Sequence, residues 1–137
     1  MKIGSFSGGI FTHDKDDIYV DEYKDGQAFP MPSWEKDSLI SDLLFLLANG
    51  HVVNKRRHIA SFKLPDGDYE ECVVEFIVDG EPKKIPIIDC QIRVSDDCGK
   101  VFYCNSSIIY SIYKYSYRPV NDFVVAVSES VRRIKGN

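Results

Sequence analysis

Six carboxylates are concentrated in one short stretch near the start of the chain. Residues 14–25 contain six acids and two bases, interleaved with Tyr19 and Tyr23. Closely spaced carboxylates can hold a divalent cation or attract a basic macromolecule. A calcium-binding EF-hand loop needs glycine at its sixth position, and counting from Asp14 places Tyr19 there, so this motif is excluded. Two interpretations remain for the acidic segment (residues 14–25): a solvated edge strand, or a docking surface for a basic partner.

The docking interpretation assigns a role to each residue type in the acidic segment. The carboxylates would steer a basic protein toward the surface, and the two tyrosines would then anchor it with rigid aromatic area. The residues predicted to bind the partner are Asp14, Asp16, Asp17, Tyr19, Asp21, Glu22, Tyr23 and Asp25.

Three histidines are available for acid–base chemistry, and none lies in a motif that specifies a reaction. His13 precedes Asp14, and His51 and His58 flank the basic run Lys55-Arg56-Arg57. A catalytic histidine needs a carboxylate or substrate within hydrogen-bond reach, which spacing alone does not supply. The basic run could hold a phosphate or solvate the loop after a helix, and the alternation around His58 predicts that this residue is tucked into a sheet.

The four cysteines, at positions 72, 90, 98 and 104, lack the Cys-x-x-Cys spacing of a zinc site. Cys72, Cys90 and Cys104 alternate with apolar residues, which predicts buried thiols in a reducing compartment. If their strands are in register, Cys72 and Cys90 could also form a disulfide. Cys98 lies in an apparent acidic turn, where a thiolate is disfavoured. We expect no metal and no cofactor.

A further cluster of residues is aromatic. Five of the eight tyrosines lie between positions 103 and 117. Tyrosine packs well at sheet edges and is also enriched at interfaces. The segment is therefore either part of the core, a binding face or a self-association surface.

Composition limits the classes of protein that can carry these clusters. With 137 residues, 44% hydrophobic residues and a net charge of −4, the chain matches one globular domain over residues 1–137. A negative chain is a poor general nucleic-acid binder. The longest apolar run, residues 43–48, is far shorter than the roughly 20 residues of a membrane span, and no signal peptide is evident. We expect a cytoplasmic protein that binds neither membrane nor nucleic acid.

Periodicity predicts the elements that position these residues. Ser33 is a candidate N-cap for a helix over residues 34–49, and residues 122–135 carry a second amphipathic stripe. Alternation with period two predicts strands at residues 2–6, 18–23, 58–64, 69–78, 85–94 and 100–105, and we also assign residues 108–117 to a strand. The predicted fold is α+β, an antiparallel sheet of about four to six strands with two helices packed on one face.

In size and charge the chain resembles bacterial toxin-immunity proteins, the acidic partners of contact-dependent and other polymorphic toxins. The acidic segment with Tyr19 and Tyr23 carries this resemblance, together with the lack of a catalytic motif. It implies a small binding protein that neutralises a basic partner, a toxin such as a nuclease, by occluding its active site. The alternative from the residues is a small ligand-binding domain or an enzyme that uses histidine and carboxylate chemistry.

Overall fold

The computed structural model describes residues 12–22, 32–64 and 66–136, apart from the side chain of Trp34. Over these residues helices and short strands form an α+β fold, which confirms the expected class. The strand predicted at residues 2–6 lies outside the described residues, as do Tyr23 and Asp25. In chain order the elements are β1 (Ile18–Tyr19), α1 (Ser33–Ala48), β2 (Val52–Val53), β3 (Ser61–Lys63), β4 (Tyr69–Glu71), β5 (Val73–Val78), β6 (Glu81–Pro86), β7 (Gln91–Ser95), β8 (Val101–Asn105), α2 (Ile108–Tyr115) and α3 (Asn121–Lys135).

The central sheet has four described strands in the order β1-β8-β7-β2. β7 pairs antiparallel with both β8 and β2, whereas β1 runs parallel to β8. The β7–β8 register places Arg93 opposite Tyr103 and Gln91 opposite Asn105. Because side chains alternate along a strand, these four residues share one face, which is polar. The other face is apolar and carries Ile92, Val94, Phe102 and Cys104, all buried.

The helices cover the apolar face. The Phe102 ring of β8 lies 6.4 Å from the Phe123 ring of α3, centroid to centroid, in an edge-on arrangement. α3 also contacts β7 and α1, and α1 contacts α2. Three helices therefore enclose the core where two were predicted. The predicted stripe of α3 is confirmed, since Phe123, Val127 and Val131 are buried.

α1 begins one residue earlier than predicted. Ser33 lies inside the helix, Pro32 occupies the N-cap position, and no side chain caps this end. Proline tolerates the site because the first amide groups of a helix have no intrahelical partner. Leu39, Ile40, Leu43 and Leu46 form the buried face of α1, and Leu44 and Leu47 are half-buried beside it.

The remaining strands form two separate hairpins, β3–β4 and β5–β6, rather than further strands of one antiparallel sheet. The strand predicted at residues 69–78 is divided at Cys72, whose N–H donates to the Ala60 carbonyl and whose own carbonyl accepts from the Ile87 N–H. The strand predicted at residues 85–94 ends at Pro86 and resumes at Gln91. The alternation of apolar and polar residues continues through both strand interruptions. The sequence pattern therefore did not predict them.

Residues 108–115 form a helix, which corrects the strand assignment for residues 108–117. Ile108, Ile109 and Ile112 are fully buried, as expected for neighbours on a helical face rather than for alternating strand positions. β-Branched and aromatic residues favour strands locally, but here packing against α1 and β5 outweighs that propensity.

All four cysteines are free thiols, and Cys72, Cys90 and Cys104 are buried as predicted. The register for the disulfide hypothesis is wrong, because the Cys72 carbonyl bonds the N–H of Ile87 rather than lying opposite Cys90. Burial raises the pKa of Cys72 to about 12 and that of Cys90 to about 11. Both groups therefore remain protonated and unreactive at neutral pH.

Candidate functional site

A buried ion pair lies on the polar face of the central sheet. Arg93 of β7 donates from Nη1 to Oδ2 of Asp17 at 2.9 Å, and the two side chains are only 5% and 4% exposed. The same carboxylate oxygen accepts the N–H of Asp14 at 3.0 Å. One acid thus closes the turn at residues 14–17 and attaches it to the sheet. Removing one partner of such a pair leaves an uncompensated buried charge, which costs about 3–5 kcal/mol.

His13 completes this cluster. Its ring stacks on Tyr103 with centroids 3.6 Å apart and planes inclined by 12°. Nε2 donates to Oε1 of Gln91 at 2.7 Å, while Nδ1 lies 3.5 Å from both the Asp17 carboxylate and the Arg93 guanidinium. The nearest carboxylate partner of His13 is therefore Asp17, in place of the neighbouring Asp14 that the sequence suggested. This histidine is built into the fold as a packed, hydrogen-bonded group.

The rest of the described acidic segment is held by backbone and side-chain hydrogen bonds. The N–H of Val20 donates to the Tyr103 carbonyl at 2.9 Å, and the Tyr117 hydroxyl donates to the Asp21 carbonyl at 2.9 Å. Asn105 donates to the Tyr19 hydroxyl at 3.1 Å. The segment is consequently fixed at several points along residues 13–22.

Of the eight residues predicted to bind a partner, six are described, and the structure separates them into inward and outward groups. Asp17 is buried and cannot face a partner, which corrects its assignment. The acidic patch, defined here as Asp14, Asp16 and Asp21 with Tyr19, faces solvent, and Tyr19 is 41% exposed. Glu22 is half-buried and accepts from Nδ2 of Asn105 at 3.2 Å.

Both burial and two nearby carboxylates act on the Tyr19 phenol. Its pKa is raised to about 12, first by partial burial and then by the charges of Glu22 and Asp21. A phenol beside two carboxylates resists ionisation because a third negative charge would be repelled. The same field favours a cation placed against this surface.

A polar cleft of about 290 Å³ opens beside Glu22. It lies between the residues that follow β1, the loop after β2 and the start of β7. Its polar lining residues are Glu22, Asn54, Arg56, Ser61, Asp89, Gln91, Asn105 and Ser107. Asn54 donates to Gln91 Oε1 at 2.9 Å, and Gln91 donates to Asn105 Oδ1 at 3.3 Å, so the amides form a continuous network.

The other two histidines lie apart from His13. His58 is exposed, contrary to the prediction that it is tucked into the sheet, and its Nε2 lies 2.9 Å from Oδ2 of Asp89. Arg56 contacts the same oxygen at 3.5 Å. His51 is half-buried, and burial together with Arg133 lowers its pKa. The basic run Lys55-Arg56-Arg57 therefore lies in a solvent-exposed loop, and Arg56 partly neutralises the charge of Asp89.

Most of the tyrosine-rich segment is structural. Tyr110 and Tyr117 are buried, and Tyr103 supports His13. The Tyr110 hydroxyl donates to Oε1 of Glu70 at 2.5 Å. This segment thus belongs to the core rather than to an exposed self-association face.

Sequence reasoning found the acidic segment but missed the residues that organise it: His13, Gln91, Arg93 and Asn105. The detectable signal was a charged residue, Arg93, between the apolar Ile92 and Val94 of a central strand. Such a residue needs a buried counter-charge, but one sequence does not identify which of 21 acids supplies it.

Across the described ranges, no three histidine, cysteine or acidic side chains are grouped closely enough to hold a metal ion. None of the described helices combines the length and apolarity needed to cross a membrane. In comparisons with known proteins, no family model, curated protein or solved structure matches this chain. The functional argument therefore depends on the geometry of the acidic patch and the polar cleft.

Proposed function

We propose that this protein binds and neutralises a basic protein partner through the acidic patch. The observation that carries the proposal is a difference in burial among the acids of residues 14–22. Asp17 is buried against Arg93 and fixes the segment, while Asp14, Asp16 and Asp21 face solvent. A surface held in place before binding loses little conformational entropy when a partner docks.

The charge balance of the patch supports a basic partner. Lys15 is the one lysine or arginine within described residues 12–22. Unbalanced surface charge accelerates association with an oppositely charged protein, and a partly exposed tyrosine supplies apolar area at the point of contact. Tyr19 lies within this group of carboxylates and packs against the Tyr103 ring at 5.3 Å between centroids.

The resemblance to toxin-immunity proteins gives this proposal its specific form. The partner would be a toxin with a basic substrate-binding cleft, such as a nuclease, and the patch would cover that cleft. Occlusion requires no catalytic group in the inhibitor. It requires only a stable negative surface, for which the fixed acidic patch is suited.

Histidine chemistry receives less support from the geometry. His13 is stacked and has both ring nitrogens beside protein groups. His58 and Asp89 form an exposed pair next to the cleft, but the adjacent Cys90 thiol has a pKa of about 11 and is a poor nucleophile. Loss of a measured activity in His58→Ala, with binding intact, would favour the enzyme alternative.

The test uses three full-length baits in low-salt extracts of the source cells: wild type, the patch variant (Asp14→Lys, Asp16→Lys, Asp21→Lys) and a control variant. The control reverses three exposed acids elsewhere, Glu71, Glu75 and Glu81, so that both variants have the same net charge. Intact-mass analysis should find one stoichiometric basic protein on wild type and control baits, but not on the patch variant. The purified partner should lose its activity when wild type is added. Equal retention by the patch variant would refute the assignment.

A further inference from the structure

An open depression of about 360 Å³, the apolar groove, lies between the last turns of α1 and the chain that leads from β6 to β7. Its walls are formed by Leu44, Leu47 and Ala48 on one side and by Ile85, Ile87 and Ile88 on the other. Leu44 and Leu47 remain half-buried, and Ile88 is 37% exposed. Apolar area is thus left open to solvent at a concave site, where a small ligand can cover much of its own surface.

The wall opposite α1 is held in place by hydrogen bonds. The N–H of Ile87 donates to the Cys72 carbonyl at 2.8 Å, and the Ile87 carbonyl accepts from the Ala60 N–H at 2.7 Å. The Ile88 carbonyl accepts from the Ser106 hydroxyl at 2.8 Å. The groove is therefore formed before a ligand arrives, so binding costs little conformational entropy.

Lys55 is the one charged side chain among the described residues that line the groove. In the part of the chain that the structure describes, no acid forms an ion pair with it. Burial, and then Asp89, raise the pKa of the Cys90 thiol in the groove to about 11, and the Lys55 ammonium is close enough to oppose them. The Asp89 carboxylate lines the polar cleft instead, where Arg56 and His58 pair with it. The apolar groove therefore has a positive charge at its edge that the described acids leave available.

We infer that the apolar groove binds a small carboxylic acid with an apolar chain. The chain would lie between the leucines of α1 and residues 85–88, and the carboxylate would accept hydrogen bonds from the Lys55 ammonium. The inference is independent of the proposed function, because the residues of the acidic patch do not line this groove.

A single ammonium beside apolar walls favours a monocarboxylate over other ligand head groups. A phosphate group carries up to two charges and three strong acceptor oxygens, and the described lining offers no second cation to bind them. An alkylammonium would be repelled by Lys55. A neutral alcohol would gain the apolar contacts without the charge-assisted hydrogen bond. For chains of equal length, the expected order of decreasing affinity is carboxylate, alcohol, ammonium.

The test titrates the full-length protein with octanoate, with octan-1-ol and n-octylammonium as references of equal chain length. The readout is the methyl NMR signals of Leu44, Leu47 and Ile88. Octanoate should produce saturable shifts and bind about fivefold more tightly than octan-1-ol, and n-octylammonium should bind most weakly. Each methylene added between hexanoate and octanoate should tighten binding by about two- to fourfold, as expected when hydrocarbon is buried.

Three variants locate the site. Lys55→Gln removes the charge and keeps most of the side chain, so it should weaken octanoate binding by about fivefold and leave octan-1-ol binding unchanged. Lys63→Gln, which removes an exposed lysine outside the groove, is the matched control and should bind octanoate like wild type. Ala48→Phe places a ring in the groove from an exposed helical position and should abolish binding of both ligands.

The inference is overturned by non-saturating shifts with octanoate, by octan-1-ol or n-octylammonium binding as tightly as octanoate, or by unchanged octanoate binding in Lys55→Gln. Octanoate binding that survives Ala48→Phe would place the ligand elsewhere and would also contradict it. Lys55 and Lys63 are both exposed, so neither glutamine variant should disturb folding, and a difference between them reports on the groove.

Discussion

The acidic patch and the β5–β6 hairpin both display carboxylates, but they balance them differently. In the hairpin, Glu75 lies directly across the ladder from Lys84, and Glu81 lies 3.5 Å from Lys83. The patch residues lie in a stretch, 14–22, whose sequence contains five acids and one lysine. The comparison teaches that the number of exposed acids does not identify a binding surface. A local excess of acids along the chain, together with a rigid attachment, does.

The two regions also differ in how they are attached. The patch is tied to the central sheet by the buried Asp17–Arg93 pair. The hairpin extends from the core and ends with Ile77 and Val78 exposed. Its outer strand contains Pro82 and Pro86, which lack N–H donors and so weaken that edge as a template for a further strand. The hairpin is therefore a poor candidate for the binding surface.

Asp17→Ala should have the largest effect, because it removes the attachment of the patch. Arg93 would remain buried without its counter-charge, so the free energy of unfolding should fall by about 3–5 kcal/mol. Urea unfolding followed by circular dichroism measures this loss. Asp14→Ala, a nearby exposed acid, should change the same quantity by about 0.5 kcal/mol or less. Similar values for the two variants would show that the buried pair does not anchor the segment.

Tyr19→Ala should produce the next largest effect, on binding. Removing a partly exposed ring from the centre of the patch should weaken partner binding by about tenfold, chiefly through faster dissociation. Tyr19→Phe keeps the ring and should bind nearly as well as wild type. Surface plasmon resonance with the captured partner separates the two rates. An unchanged dissociation rate in Tyr19→Ala would place the contact elsewhere.

Glu70 of the β3–β4 hairpin sharpens the comparison, because it is an acid that is paired within the fold, like those of the β5–β6 hairpin. Hydrogen bonds from Lys114 and Tyr110 lower the pKa of Glu70 below its ordinary value of 4.5. A lowered pKa in the folded state gives stability that is present above pH 4.5 and is lost as the pH falls through the folded value. The difference in urea midpoint between wild type and Glu70→Gln should therefore shrink below pH 4.5. A constant difference across this range would contradict the ionic origin of the stabilisation.

The hairpin tip should show the smallest effect. Ile77 is 61% exposed, so Ile77→Thr should change the free energy of unfolding by about 0.5 kcal/mol or less and leave partner binding unaltered. Chemical denaturation and the same binding assay measure both quantities. A clear loss of binding in this variant would move the partner surface from the patch to the hairpin.

The α+β class and the two long helices were predictable because their hydrophobic periodicity is strong. The short strands were less so, since an alternating pattern continues through Cys72 and through residues 87–90 while the backbone changes partners. The third helix was missed because Ile108, Ile109 and Ile112 have strand propensity and become helical through packing on other elements.

The site was predictable only in part, for an electrostatic reason. The density of charge in residues 14–25 is visible in the sequence, but the direction of each carboxylate is not. Asp16 and Asp17 are adjacent, and one faces solvent while the other is buried against Arg93. That difference arises from a contact between distant parts of the chain. The cleft depends on such contacts even more, because its residues come from segments joined only in the folded protein.

The most direct test of the central claim is the association rate of the captured partner at several salt concentrations. We compare wild type with the patch variant and with the Glu71, Glu75 and Glu81 control of equal net charge. The patch variant should associate about 10- to 100-fold more slowly at low salt, the control should remain close to wild type, and added salt should reduce the gap. Equal slowing of both variants would show that net charge, and not the acidic patch, attracts the partner, and would contradict the account.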